Sequence, residues 1–309
     1  MFAAFTYSIQ ASAQADTFGT SGNEFTIDFV DIGNAGNAAD TAGADIGRAG
    51  YGAVPYEYRV STYEITQNAI TKATASGMAN VTAGPWTGNQ PAANIDWYEA
   101  AAFVNFLNTN SGKTAAYDLT FSSGSWSMAL WSSEQAWTAG GPNLYRNKDA
   151  YYFLPSENEW YKAAYYNPAG SNYFLYPTGS NSVPTVVVSG TDAGSAIYDR
   201  VTYVPAVVNS AGGSSPYGTM GQGGNIYEWL ESAGDGTNNS PSEYRVMRGG
   251  NIILPEVFLR SIQRDAYWDP SIGSNGDVGF RVASVPEPST YALLLMTAAG
   301  ALWMTRRRR

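Results

Sequence analysis

The sequence predicts an α+β domain with an unusually large share of loop, and three observations carry that expectation. Two segments show a complete helix-start signature followed by apolar residues at helical spacing. Others alternate apolar and polar residues over a few positions, as half-buried strands do. Between them the chain is dense in breakers, with 33 Gly and 15 Pro among 309 residues, which interrupts regular structure. Helices packed on short strands and joined by long connections satisfy all three.

Taken in order, Phe25 to Phe29 alternates like a strand and runs into a turn-rich stretch from Gly33 to Asp40. Gly52 to Tyr63 reads as extended. A helix is expected from Thr66, turning Ala69, Ile70 and Ala73 inward. At Asp96 an N-cap is followed by Glu99 at the third helical position, a capping box. Ala100, Phe103, Val104 and Leu107 then recur at helical spacing, and Ser111-Gly112 ends the element. The box returns at Ser156 with Glu159; Trp160, Ala163 and Ala164 form its buried stripe, and Asn167-Pro168 closes it. From Ser180 to Ser215 the chain is loop-like, with Val186 to Val188 as a short strand. Long connections within a compact domain often carry function.

A hydrophobic fraction of 44% suffices for one sizeable core. Tyr (22) and Trp (9) are abundant, while charged residues make up only 14%, so the surface is polar rather than ionic. The net charge is −9, and four of the 17 basic residues are the terminal Arg306 to Arg309. An acidic body of this kind argues against nucleic acid as a partner. The chain has no Cys and no His. That removes disulfides, thiolate nucleophiles, imidazole general bases and the usual sites for copper, iron and zinc. Carboxylate, Tyr or Lys chemistry, hard-metal binding, or no catalysis remains.

The two ends read as addresses. Residues 285–309 hold Pro286-Glu287-Pro288, an apolar run from Tyr291 to Thr305 and four arginines. The run is about 15 residues, roughly 22 Å as a helix, short for roughly 30 Å of hydrocarbon. Trp303 and the arginines can still anchor it at an interface, making a membrane partner expected. This order of parts resembles the PEP-CTERM sorting signal, which implies processing by an exosortase, transient anchoring by the hydrophobic helix 291–305, and export to the cell surface or beyond. At the other end, Ala13-Gln14-Ala15 has the small-x-small form of a signal-peptidase site. Residues 1–15 therefore read as the remainder of a signal peptide, and 26–283 as one domain.

Six segments in order carry a second resemblance. They are Tyr63-Glu64-Ile65-Thr66, Pro91 to Ala100, Leu154 to Trp160, Gly223 to Trp229, Arg245 to Gly250, and Gly279-Phe280-Arg281. Together they resemble the formylglycine-generating-enzyme, or sulfatase-modifying-factor, family, which implies a C-type-lectin-like fold. Read physically, Trp160 and Trp229 are core anchors, Gly223-Gly224 permits a tight turn, Arg248 leads a strand inward, and Arg281 pairs with an internal carboxylate. The resemblance places Glu256 and Ser261 where catalytic members carry their two cysteines. Carboxylate and hydroxyl do not replace thiolates for copper(I). The iron-binding branch needs histidines, which are also missing, so no copper, iron or zinc is expected.

Calcium stays open, because the resemblance implies a structural Ca²⁺ site at the Gly-Asn-x-x-Glu-Trp segment, here Asn225 and nearby carbonyls. A second family site has Ala196 in place of its Asn. Asp235 to Asn239 reads as a turn rather than a calcium loop. The favoured expectation is a non-catalytic surface protein binding a glycan or another protein. Trp268, Tyr267 and Trp86 are its candidate ligand residues, since aromatic rings in loops can stack on sugars. Two alternatives stand beside it. One is a carboxylate-dependent extracellular hydrolase using among Glu157, Glu228, Glu256 and Asp265. The other is a metal-dependent oxidase of the family.

Overall fold

The computed structural model describes residues 14–285 apart from 43–49, 83, 202 and 274–275. The apolar run expected as a helix over 291–305 lies outside these residues, as do residues 1–13. Among the described residues no helix is long and apolar enough to cross a membrane.

Along the chain come strands β1 (Gln14–Phe18), β2 (Phe25–Ile32) and β3 (Tyr58–Ser61), then helices α1 (Gln67–Ala75) and α2 (Trp97–Asn110). Strand β4 (Tyr152–Phe153) leads into α3 (Glu157–Tyr165). Strands β5 (Tyr227–Ala233), β6 (Arg245–Arg248), β7 (Asp265–Trp268), β8 (Val278–Phe280) and β9 (Ala283–Ser284) follow. One five-stranded sheet has the order β1-β2-β3-β9-β4, so the last strand of the domain sits between early ones and fastens its two ends together. A four-stranded sheet has the order β7-β6-β5-β8, with β5 and β8 parallel. The remaining pairs are short, including a hairpin of Asp118–Ser122 with Ser125–Ala129.

The alternation expected at Phe25 is real. Phe25, Ile27 and Phe29 are buried and the residues between them exposed. The sheet begins at Gln14, ahead of the Thr26 expected as the domain start, and β1 includes Gln14 and Ala15 of the small-x-small site. Its Asp16 pairs with Arg59 of β3 at 2.6 Å. The extended segment Gly52 to Tyr63 narrows to the four residues of β3, and the short strand near Val186 spans Thr185–Val186.

All three helices start where the sequence places them. The Thr66 side chain accepts from the Ala69 amide, and reciprocal capping boxes close at Asp96–Glu99 and Ser156–Glu159. Helix α2 is buried almost all round, which is why its apolar residues are not confined to one stripe. Two indoles lock it to the second sheet: Trp97 Nε1 donates to the Leu230 carbonyl and Trp229 Nε1 to the Ile95 carbonyl, each at 2.8 Å. Both rings are fully buried.

Candidate functional site

Three buried arginines, Arg146, Arg248 and Arg281, organise the interior, each clamped by carboxylates from other elements. On the segment after β8, Arg281 donates from Nε and Nη2 to both oxygens of Glu228 at 2.6 Å, and to the Ser61 and Met220 carbonyls. Trp160 Nε1 completes the Glu228 carboxylate at 2.7 Å. Arg248 and Arg264 converge on Glu157 at 2.7 and 2.9 Å. Arg146 lies between Glu159 and Glu231, at 2.9 and 2.7 Å, with its guanidinium 3.6 Å from the Phe153 ring centre. Glu157 and Glu159 share α3, while Glu228 and Glu231 share β5, so one helix and one strand supply the carboxylates of all three clusters.

The same packing surrounds the two residues aligned with the family's cysteines and the carboxylates considered for a hydrolase. Ser261 is buried; its amide donates to Leu175 and its carbonyl accepts from Arg248. Glu256 sits on a short helical turn, Glu256–Leu259, and pairs with Arg260 at 3.2 Å. Of the carboxylates open to a hydrolase, Glu157, Glu228 and Glu256 are all engaged by arginines, and Asp265 lies half-buried in β7.

The aromatic candidates do not converge. Tyr267 is 83% exposed on β7, whereas Trp268, the next residue, packs against the main core. Successive strand residues point to opposite faces, which separates the two. Trp86 is half-buried, and its indole N–H is held by the Gly276 carbonyl at 2.9 Å.

Asn225 sits at a hydrogen-bonded turn. Its backbone is in the left-handed region at φ 59°. Its Oδ1 accepts from the Ala206 amide at 2.9 Å, and its Nδ2 donates to Glu64 at 2.8 Å. Its amide donates to the Ile197 carbonyl and its own carbonyl accepts from Ile252. Every polar group of the residue is therefore engaged by the protein. Among the described residues, no three Asp, Glu, His or Cys side chains gather into a metal cluster. The protein's own hydrogen bonds hold this turn. Adding Ca²⁺ or a chelator is accordingly expected to leave the melting temperature within about 1 °C, since a ligand stabilises only a state that binds it. Differential scanning calorimetry with 5 mM of each (about 5 mM suffices for a millimolar extracellular-type site) checks this.

Glu64, beside Asn225, is the least satisfied carboxyl. It is buried, and no donor completes a hydrogen bond to its Oε1. Burial, then Glu228, pushes its pKa well above the usual carboxylate range, against the opposing pull of Arg281, Asn225 and the Ile226 amide. A carboxyl raised on folding holds its proton longer than in the unfolded chain, so stability falls as pH climbs from the unfolded value of about 4.3. Glu64→Gln removes that slope. The variant is expected to match the parent near pH 4 and to exceed it by at least about 1 kcal/mol at pH 7.5, since one pKa shift unit is about 1.4 kcal/mol. Urea melts at the two pH values decide it.

One surface recess is a groove of about 460 Å³ between the stretches 53–56, 137–146 and 232–239, with Ser156 and Asn158 also in its lining. Tyr56 and Trp137 form an edge-to-face pair in it, with ring centres 5.4 Å apart. None of Trp86, Tyr267 or Trp268 lines it. The reasoning that nominated Trp86 from its Gly- and Pro-containing loop applies equally to Trp137 with Gly140, Gly141 and Pro142. Their sequence signal was the same; what was missing was the folding that brings Tyr56 and Asn239 beside Trp137.

A loop-rich α+β body knit by buried arginine–carboxylate clusters, with both ends of the domain joined in one sheet, is a C-type-lectin-like architecture of the formylglycine-generating type. The model of the sulfatase-modifying factor enzyme 1-like domain matches residues 23–285, so the chain belongs to that family. A PEP-CTERM protein-sorting motif matches residues 284–309, which marks the chain for export and implies recognition by an exosortase. A comparison with curated protein sequences found no match. Among solved structures, the chain is similar to variable protein 1 of Treponema denticola, with 20% identity, TM-score 0.60, and coverage of 89% of this chain and 100% of that one. It is also similar to CarF, at 19% identity and TM-score 0.56 over 84% and 99% of the two chains. PvdO from Pseudomonas aeruginosa follows at 17% identity and TM-score 0.52 over 89% and 100%. At these identities the likeness defines the fold.

Proposed function

We propose that this chain is a cell-surface or extracellular-matrix protein whose sulfatase-modifying-factor-like domain binds a glycan or protein ligand without catalysis. The carrying observation is at the two positions where the family's catalytic cysteines would stand. Glu256 is tied to Arg260, and Ser261 is buried under the Arg248 guanidinium. Neither offers a soft donor for a redox metal or a nucleophile for acyl chemistry. Of the carboxylates a hydrolase could use as acid and base, Glu157, Glu228 and Glu256 are each occupied by a guanidinium partner. The sorting tail fits delivery of such a domain to the outside of the cell, with transient anchoring by the apolar segment 291–305.

The test is retention against turnover. The purified full chain, in mild detergent, is incubated with cell-envelope polysaccharide and matrix protein from the producing bacterium. The expected result is saturable retention on that material with no new reducing ends and no oxidised peptidyl thiol. Release of soluble sugar fragments, conversion of a cysteinyl peptide to an aldehyde, or stoichiometric copper or iron in the preparation would overturn the reading.

A further inference from the structure

We propose that the groove between residues 53–56, 137–146 and 232–239 is a binding site for a neutral saccharide. The proposal rests on the ligand-binding reading above and assigns that reading a place and a ligand class. At about 460 Å³ the recess falls within the range of small-molecule sites.

Its chemistry is selective. In a chain of net charge −9, the groove has one charged residue in its lining, Arg146. That guanidinium is almost wholly buried, and its nitrogens donate to Glu159 and Glu231 on the inward side. No charge is left to face a ligand. Phosphates, carboxylated sugars and ammonium groups would lose hydration here with nothing to replace it. A neutral polyol pays no such penalty.

The wall and the polar groups are held in advance of any ligand. The Trp137 indole donates to the Ala139 carbonyl at 2.8 Å, which fixes the ring, and the Tyr56 edge braces it. Asn238 donates to Asn143 at 2.8 Å and accepts from the Ala233 amide at 2.8 Å, so that side of the groove is rigid. Against this frame two amides remain available. Asn158 uses its Oδ1 on the Gly52 amide, and its Nδ2 has no partner among the described residues. The exposed Asn239 side chain has none either. An indole wall for the C–H face of a pyranose, next to the Asn158 amide donor and the Asn239 amide, which can donate and accept, matches the two faces of a sugar ring. A ring held in place before binding also lowers the ordering cost.

The test titrates the full chain with maltotriose, cellotriose and N-acetylchitotriose, and with heparin hexasaccharide as the anionic control, by calorimetry and saturation-transfer NMR. At least one neutral trisaccharide is expected to bind, with heparin weaker. Trp137→Ala is expected to weaken binding tenfold or more, and Asn239→Ala several-fold. Trp86→Ala and Trp268→Ala should leave it unchanged. Since Trp137 also touches the interior, Trp137→Phe and the exposed Asn239→Ala keep the result readable if the alanine variant unfolds. Trisaccharide binding that survives both Asn239→Ala and Trp137→Phe, but falls with Trp268→Ala, would move the site elsewhere and leave the ligand-binding function intact. Preference for heparin, or no binding of any neutral probe, would overturn the saccharide assignment. Retention on envelope material by a chain that ignores all four probes would still uphold the proposed function.

Discussion

Replacing Arg146 by methionine is expected to cost on the order of 3–5 kcal/mol, the range for removing one partner of a buried ion cluster. Methionine fills much of the same space and keeps contact with Phe153, so the loss is electrostatic rather than a cavity. Two carboxylates, Glu159 and Glu231, would be left buried with no counter-ion; both are fully shielded from solvent. Tyr56, Tyr117 and Asn143 still donate to them, but neutral donors recover only part of the lost attraction. For a domain of this size the change amounts to roughly 10 °C in melting temperature, taking about 2–4 °C per kcal/mol.

The pH dependence gives this prediction a second reading. In the parent, burial alone would raise the Glu159 pKa, but Arg146 and its hydrogen-bond partners hold it below the ordinary value; at Glu231 burial prevails and the pKa is raised. The Glu159 contribution is thus present above the unfolded carboxylate pKa and is lost as pH falls through its lower folded value. Without the guanidinium both carboxyls are driven upward by burial, and the sign reverses for Glu159. The variant is then expected to lie furthest below the parent at pH 8 and nearest at pH 4–5. Glu159→Gln with Glu231→Gln in the same background should recover much of the loss. A deficit under about 1 kcal/mol, flat across pH, would mean that the cluster is not the electrostatic keystone of the interior (surface pairs fall in that range).

How far the sequence could be read follows from the range of each interaction. The capping boxes at Asp96 and Ser156 use residues three apart, so the chain displays them in a single glance, and both helices begin there. The pairing of Arg281 with an internal carboxylate was legible as a type of contact, because a buried arginine requires one, but its partner Glu228 lies 53 residues away. The Arg146 cluster was not legible at all. Its carboxylates come from α3 and β5, and nothing local to Asn143–Asn147 marks that arginine for burial. The groove fails for the same reason, since Tyr56 and Asn239 meet Trp137 only through the fold. Conversely, Trp86 and Trp268 looked free because loop-like sequence does not reveal that a neighbouring carbonyl or a core takes up an indole. Asn225 was recognised as special, and its left-handed backbone with hydrogen bonds to Glu64, Ile197, Ala206 and Ile252 shows it joining four distant segments.

The turn that delivers Asn225 supplies the other large expected effect. At Gly224 the backbone has φ +85°, and an added Cβ would stand 2.0 Å from the Ile197 carbonyl oxygen and 2.8 Å from its carbon. Those atoms are backbone, and they are pinned: the same carbonyl accepts from the Asn225 amide at 2.8 Å, while Gly224 donates to Gly249 at 2.9 Å. Neither side can yield without breaking a buried hydrogen bond. Gly224→Ala therefore carries the left-handed penalty of about 1–2 kcal/mol and an overpacking cost of about 1–3 kcal/mol, a combined loss on the order of 2–5 kcal/mol. Gly22, between β1 and β2, separates the two terms, because its φ is +84° yet nothing lies within 4 Å of its added Cβ. Gly22→Ala should lose only the conformational share. Chemical denaturation of both variants measures the difference, and equal losses at the two positions would show that the Ile197 segment moves aside and that the contact at Gly224 is soft.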